Sequence, residues 1–391
     1  MFGTGFTRLL PKGLRDAIIG LSNDYHFGSP HIRYAPVKVR RAYRGERVAI
    51  AGLFSVRCGL QRAADLMAMD FEARDIPVFR MDMATALRLV TDIERDDTGG
   101  FKEMRTFAPT DIIVHAAPPL FNRFLSKLGR EAYNRSAIMP YWHWELAQAP
   151  SDWGKALKWA DEIWAPTPFV AEAIGAVLPE PRPIKIVPNA IGADPFTPVS
   201  AAEAARARAS LGIEAEAFVA GFTFSMASGF WRKNPLGAIA AFQKAFPENH
   251  TARLILRCHD CALYPAGHDL LKAAALTDTR ILLFDGEDRR IGLGDFYAAI
   301  DVLLSLHRSE GFGLTLAEAL QSGRQVITTD WGLAPELASN ACVIQVTSHL
   351  IPVDDPQGVY EDYAGQKWAE ANIGEAAEGL QTLAGRANLL F

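Results

Sequence analysis

From residue 47 onward, short apolar or β-branched runs alternate with longer stretches in which apolar positions recur at helical spacing. In the first half the runs lie at 48–52, 76–80, 111–115, 137–142, 162–165 and 184–187, with helical patterns at 60–71, 120–129 and 168–177. Such alternation predicts a parallel sheet covered by helices on both faces. Pro188-Asn189, followed by Gly192, Asp194 and Pro195, breaks the pattern and reads as an interdomain linker. The theme then repeats, with strands expected at 218–224, 253–257, 280–284, 301–306 and 325–328 and helices near 235–246, 267–276, 294–300 and 314–322. Asn234-Pro235 supplies a capping side chain followed by proline at the first helical position, and Gly323 suits the left-handed residue that closes a helix. The expectation is an α/β chain of two doubly wound domains. Ligands in such sheets bind beyond the carboxyl ends of the strands, here in the cleft that the two domains would face.

Composition narrows this little. The 391 residues exceed one ordinary core, and 49% hydrophobic with 22% charged residues describes a globular enzyme. No apolar stretch approaches the ~18 residues of a spanning helix. Arg8, Lys12, Arg15 and Asp16 interrupt any signal-peptide centre near the start, and the chain has only four cysteines, so the cytoplasm is the expected compartment. Cys258 and Cys261 form a C-x-x-C, but Cys58 and Cys342 are isolated in sequence and His259 cannot easily join the pair. They read as ordinary thiols at a strand end. A net charge of −5 argues against general nucleic-acid binding. Within residues 1–47, nine basic residues stand against three acidic ones, a local +6 that leaves the remainder near −11. This basic arm reads first as a solvated extension packing on the body, and second as a surface for anionic lipid head groups.

The chemistry concentrates in residues 305–323. Glu310 and Glu318 are separated by seven residues, the first directly before Gly311-Phe312-Gly313 and the second on the helix that follows. Each carboxylate can accept a pair of hydroxyl hydrogen bonds, and a glycine-opened helix start offers backbone N–H groups to an anion. That set suits sugar hydroxyls at both ends of a ligand and phosphates in the middle, as in a nucleotide sugar. Arg232-Lys233 precedes the capped helix at 235, so two cations and a helix N-terminus converge where a leaving diphosphate could be neutralised. His307 and Arg308 could reach the same ligand, or could be ordinary strand-end residues. Tyr141-Trp142-His143-Trp144-Glu145 ends a strand and mixes aromatic faces with polar groups, the usual carbohydrate-binding combination, although Trp142 and Trp144 suit a core equally well. Gly52 to Gly59 is a glycine-bounded loop after the first strand, without the spacing of a dinucleotide fingerprint or a P-loop. Two aspartates flanking a single residue, a pattern that can hold a metal ion on a diphosphate, occur nowhere in the chain.

These blocks, taken in order with Glu162-Ile-Trp-Ala-Pro166, Val187-Pro-Asn189, Arg232-Lys-Asn-Pro235 and Gly332-Leu-Ala-Pro-Glu336, resemble the retaining glycosyltransferases of the GT-B fold, family 4. The resemblance covers most of residues 47–385. It implies two Rossmann-like domains facing across a cleft. The expected division is a basic extension at 1–45, an acceptor domain at 46–190, a nucleotide-sugar domain at 191–365, and a C-terminal segment at 366–391. That segment is expected to be a helix that crosses back to the N-terminal domain. Glu310 would contact the donor sugar, Glu318 the ribose, and Arg232 and Lys233 the diphosphate, with the amides of Gly311, Phe312, Gly313 and Leu314 between the two carboxylates. Gly59, His143 and Glu145 are candidate acceptor or sugar contacts, and the Gly332–Glu336 turn would shape the donor pocket by its backbone. The implied reaction moves a hexose from a nucleotide diphosphate sugar to a saccharide or lipid-linked acceptor by front-face substitution. It would need neither cofactor nor metal, and would take place in the cytoplasm with the basic arm as a peripheral contact at the inner face of the membrane. A nucleotide-sugar epimerase, a pyridoxal-dependent phosphorylase and a catalytically silent binding module are the rival readings.

Overall fold

A computed structural model of the chain describes residues 40–89, 96–193, 195–248, 251–286 and 291–387. They divide into two compact units, one running up to residue 193 and one starting at Pro195. Most of the basic 1–45 segment therefore lies outside the described residues. Its last part, 40–45, is anchored to the body by carboxylates that accept backbone N–H groups. Asp161 takes that of Arg41 at 3.0 Å, Glu162 that of Tyr43 at 2.9 Å, and Asp111 those of Arg44 and Gly45, both at 2.9 Å.

The N-terminal unit is built on β1 (Val48–Gly52), β2 (Val78–Asp82), β3 (Asp111–Val114) and β4 (Ala137–Pro140), all parallel in the order β2-β1-β3-β4. Two further parallel strands, β5 (Ile163–Ala165) and β6 (Ile184–Ile186), are linked to β4 through a Tyr141–Trp164 bridge. β1 is buried at all five positions, which explains its uninterrupted apolar run: helices cover it on both faces. Helix α1 (Gly59–Ala73) turns Ala64, Met67, Ala68 and Phe71 onto the sheet, the three-to-four spacing of an amphipathic helix. β2 begins two residues later than its apolar run suggests. The Ile76 N–H closes α1 by donating to Phe71, and Pro77 has no N–H to give a ladder.

The C-terminal unit holds a six-stranded parallel sheet of β7 (Val219–Ser225), β8 (Arg253–His259), β9 (Ile281–Phe284), β10 (Val302–Ser305), β11 (Gln325–Thr329) and β12 (Val343–Val346). Its order is β12-β11-β10-β7-β8-β9. The order reverses between β7 and β10, the switch point of a doubly wound sheet, so the carboxyl ends of those two neighbours open a crevice. Short helix α2 (Phe230–Lys233) follows β7 and runs into α3 (Pro235–Ala245). Further on come α4 (Pro265–Thr277), α5 (Leu293–Ala299) and α6 (Leu314–Gln321).

The C-terminal segment departs from expectation. Residues around Trp368 form not a helix but β14 (Lys367–Ala371), paired antiparallel with β13 (Ser348–Pro352). Helix α7 (Ile373–Ala387) starts only after Asn372, whose side chain caps it by accepting the N–H groups of Gly374 and Glu375 at 3.0 and 3.3 Å. Helix α7 packs on α3 and β11 of its own unit and contributes Ala376, Ala377, Leu380, Leu383 and Ala384 to that unit's core.

Candidate functional site

Three of the expected donor residues meet at the β7–β10 switch point. Because the two strands are neighbours, the segment leaving β10 runs beside α2, and the Arg308 N–H donates to the Arg232 carbonyl at 2.7 Å. This brings Glu310 against the helix. Arg232 donates from Nη1 to Glu310 Oε1 at 2.9 Å and to the Ser309 carbonyl at 2.8 Å, and from Nε to the Ser228 carbonyl at 2.9 Å. Lys233 Nζ reaches the other oxygen, Oε2, at 2.5 Å. Asn234 holds the junction in place from the left-handed region at φ 55°, capping α3 through Gly237 at 3.1 Å and donating to the Leu306 carbonyl at 3.0 Å.

The three side chains are nearly dry: Arg232, Lys233 and Glu310 are 3%, 12% and 11% exposed. Burial alone would raise the pKa of Glu310, but Lys233 and Arg232 outweigh it and hold the carboxyl well below the usual carboxylate range. Two cations thus share the Glu310 carboxylate, and Asp355 acts on Arg232 as a second negative charge. His307 adds no charge to the cluster. Its ring is fully buried, burial pushes its pKa down to about 4, and Nε2 faces the Trp331 carbonyl at 3.1 Å, which fixes the proton on that nitrogen. Arg308 is occupied elsewhere, donating to Glu370 at 2.6 Å and to the Trp231 carbonyl at 2.7 Å while stacking 5.7 Å from Trp368.

Glu318 is fixed separately, its Oε2 2.8 Å from the Tyr297 hydroxyl of α5. Between the carboxylates the chain turns through Gly313, at φ 99°, into α6, and no side chain caps that helix start. The N–H groups of Leu316 and Ala317 both donate to the Gly313 carbonyl at 3.0 Å, which closes the first turn. The Gly332 turn lies directly against this segment. A Cβ at Gly332 would come within 2.4 Å of the Glu310 carbonyl oxygen, and its φ is 70°. The Ala334 N–H adds a bond to the Phe312 carbonyl at 3.2 Å.

In the N-terminal unit, the loop after β1 is held by Asp82, which accepts from the Ser55 hydroxyl at 2.6 Å and the Ser55 N–H at 3.3 Å. Gly59 is exposed, with open space where a side chain would project. At the carboxyl ends of β3 and β4, His115, Tyr141 and His143 cluster, with ring centres 4.7 Å (His115–Tyr141) and 5.1 Å (Tyr141–His143) apart. Asn189 ties them to the following coil. The Tyr141 hydroxyl donates to the Val187 carbonyl at 2.9 Å and lies 3.1 Å from Asn189 Oδ1, while Asn189 Nδ2 lies 3.3 Å from His143 Nε2. His115 is fully buried, and burial together with His143 pushes its pKa well below that of free histidine. Trp142 and Trp144 settle as core: both pack edge-on against Trp153, at 5.1 and 5.3 Å. Glu145 is half-buried at the end of this block.

Residues 223–363 match the family model of the glycosyl transferases group 1. The chain carries a group 1 glycosyltransferase domain. A 74-residue stretch is 39% identical to the lipopolysaccharide core biosynthesis mannosyltransferase LpsB of Rhizobium meliloti; it spans 19% of this chain and 20% of that protein. Among solved structures, a glycosyltransferase from Rickettsia africae aligns at TM-score 0.56 and 14% identity over 89% of this chain and 98% of its own. Anabaena Alr3699/HepE, solved in complex with UDP and glucose, aligns at 0.56 and 14% over 88% and 95%. The two Rossmann-like units are those of the GT-B fold.

Arg232, Lys233, Glu310 and Glu318 all fall inside the group 1 domain, whereas Gly59, His143 and Glu145 lie outside the matched region. Sequence reasoning missed Tyr297, His115, Gln357 and Glu370. Gln357 accepts the Phe230 N–H and donates to the Met226 carbonyl, both at 2.7 Å, thereby holding the start of α2. These residues support the site from far along the chain, and no local pattern marks them.

Proposed function

We propose that the protein is a glycosyltransferase that moves a hexose from a nucleotide diphosphate sugar to a saccharide or lipid-linked acceptor, with retention at the anomeric carbon and without a metal on the diphosphate. The observation that carries this reading is the Arg232–Lys233–Glu310 cluster, two nearly buried cations beside a helix start with no side-chain cap. A diphosphate here would place negative charge beside the two cations and at the positive end of the α6 dipole. By the family resemblance Glu310 faces the sugar and Glu318 the ribose, with Tyr297 orienting Glu318. The similarity to LpsB, a mannosyltransferase, and to HepE, which binds UDP and glucose, supports a hexose donor carried on UDP or a related nucleotide.

In the proposed step the bond between the anomeric carbon and the diphosphate oxygen breaks, and the acceptor hydroxyl oxygen bonds to that carbon on the same face. The departing diphosphate oxygen takes the hydroxyl proton. Arg232 and Lys233 stabilise the charge that accumulates on it, so the protein contributes chiefly electrostatics and positioning. His143, on the aromatic block, is the candidate sugar contact of the acceptor unit, with Gly59 and Glu145 as candidates beside it. Among the described residues no helix is long and apolar enough to cross a membrane. Contact with a membrane-borne acceptor is therefore proposed through the basic 1–45 segment.

The test is release of nucleotide from UDP- and GDP-hexoses, with and without oligosaccharide acceptors and with a chelator present, followed by NMR of the product's anomeric centre. Acceptor-dependent release that survives chelation, with retained configuration, supports the reading. Full transfer by both Glu310→Ala and Lys233→Ala would remove it, and conversion of a donor supplied alone would favour an epimerase. Liposome flotation with and without residues 1–45 tests the membrane contact, and equal recovery of both forms unbound would exclude it.

A further inference from the structure

A second constellation lies at the carboxyl end of β8. The strand ends in Cys258-His259, and Asp260, at φ 56°, turns the chain into a short 3-10 segment that begins with Cys261. The turn brings the two sulfurs to 3.0 Å of each other. His268, in the first turns of α4, comes in from the next element, and its ring nitrogen and both sulfurs all lie within 4.8 Å of one another. His259 points away, its Nε2 against the Arg257 guanidinium. Cys258 is buried, whereas Cys261 and His268 are partly exposed, so one side of the cluster opens to water.

We propose that Cys258, Cys261 and His268 bind a thiophilic divalent cation, zinc, with water completing the coordination. Two thiolates and an imidazole are a soft to borderline donor set that suits zinc and not magnesium or calcium. Zinc–sulfur bonds of ~2.3 Å put two sulfurs ~3.8 Å apart at tetrahedral angles, so the pair needs to spread by less than an ångström. Binding displaces the two thiol protons into solvent.

The ion would brace the turn that supports α2. Between the ligands, Asp260 accepts from the Ser225 hydroxyl at the end of β7 at 2.5 Å. Tyr264 packs its ring 5.7 Å from Phe230 and accepts from Trp231 Nε1 at 3.1 Å. Phe230 and Trp231 directly precede Arg232 and Lys233. The site is thus distinct from the donor cluster but lies one layer behind it.

The test uses the full chain, reduced and stripped by a chelator, titrated with cobalt(II) as a spectroscopic stand-in and then with zinc. One cobalt per chain with a sulfur-to-metal charge-transfer band is expected, displaced by zinc, and zinc should raise Tm. Cys261→Ser and His268→Ala alter partly exposed side chains, and their fold is checked by circular dichroism. Cys261→Ser should lose most of the band. His268→Ala should keep the band but bind at least about tenfold more weakly, the low end of what even outer partners of a ligand contribute. A reduced wild-type chain without the band, an affinity unchanged by His268→Ala, or recovery of the pair as an intramolecular disulfide under the same reducing conditions overturns the proposal. None of these readouts depends on glycosyl transfer.

Discussion

Glu310→Gln removes the single carboxylate that two buried cations share, and its consequences can be worked from the geometry. The lost contacts are those at 2.9 Å to Arg232 and 2.5 Å to Lys233, between side chains no more than 12% exposed. At an effective dielectric constant of 20, a unit-charge pair 4 Å apart is worth about 4 kcal/mol before desolvation is subtracted. Removing one partner of a buried pair costs about 3–5 kcal/mol, chiefly because the charge left behind is uncompensated. Glutamine still accepts a hydrogen bond, so the lower end, about 3 kcal/mol, is expected. For a unit of this size that corresponds to a Tm lower by roughly 6–12 °C. Saturating UDP should reverse part of the loss, because its diphosphate restores negative charge beside Arg232 and Lys233. A ligand at a hundred times its Kd adds about 2.7 kcal/mol to the wild type, and the gain should be larger in the variant. The assay is thermal unfolding of wild type, Glu310→Gln and the exposed control Glu336→Gln, each with and without UDP. If Glu310→Gln melts with the wild type, or UDP stabilises the variant less, the charge argument is wrong.

Three further outcomes follow from the same region. His307 has a folded pKa of about 4 against 6.5 for the free side chain, so between those values the unfolded chain binds the extra proton. Stability should fall by up to about 3 kcal/mol as pH drops from 6.5 to 4, and His307→Gln should flatten that part of a urea-midpoint profile; parallel profiles would refute the assignment. Gly332→Ala places a Cβ within 2.4 Å of the Glu310 carbonyl at a φ of 70°, so it should cost more than about 1 kcal/mol in denaturant unfolding and depress transfer, and a neutral result would mean the turn does not position Glu310. Glu370→Gln frees Arg308 from its 2.6 Å partner and should destabilise by about 1.5–3 kcal/mol while raising the donor KM more than it lowers kcat; rescue of KM by Glu370→Asp would separate positioning from general loosening.

Most of the fold was legible in the chain because buried parallel strands read as unbroken apolar runs, as β1 and β3 do. What escaped was strand ends and edges. Asp82 ends β2 although aspartate is a poor strand residue; it is tolerated there because Ser55, Ala84 and Thr85 satisfy its carboxylate. β14 was mistaken for a helix start, since Trp368, Ala369 and Ala371 are apolar at spacings that fit either element. Only its pairing with β13, a contact made at a distance, decides the matter. At the site, Arg232, Lys233, Glu310, Glu318 and the glycine turn were legible from residue type and spacing. Their mutual pairing was not, because it depends on the adjacency of β7 and β10, which no local pattern states.

That adjacency explains why the count of charges in the cluster is what it is. With no carboxylate, two cations on consecutive residues of a four-residue helix would repel one another in a nearly dry site, and α2 could not hold both side chains inward. Glu310 holds both cations inward, and Asp355 acts on Arg232 as a second negative charge. Arg308 would upset the count from two residues away were its guanidinium not taken up by Glu370 and the Trp231 carbonyl, and His307 would upset it were it not kept neutral by burial. The neighbours that look like spare cations in the sequence are thus residues whose charge the fold disposes of separately from that of Arg232 and Lys233.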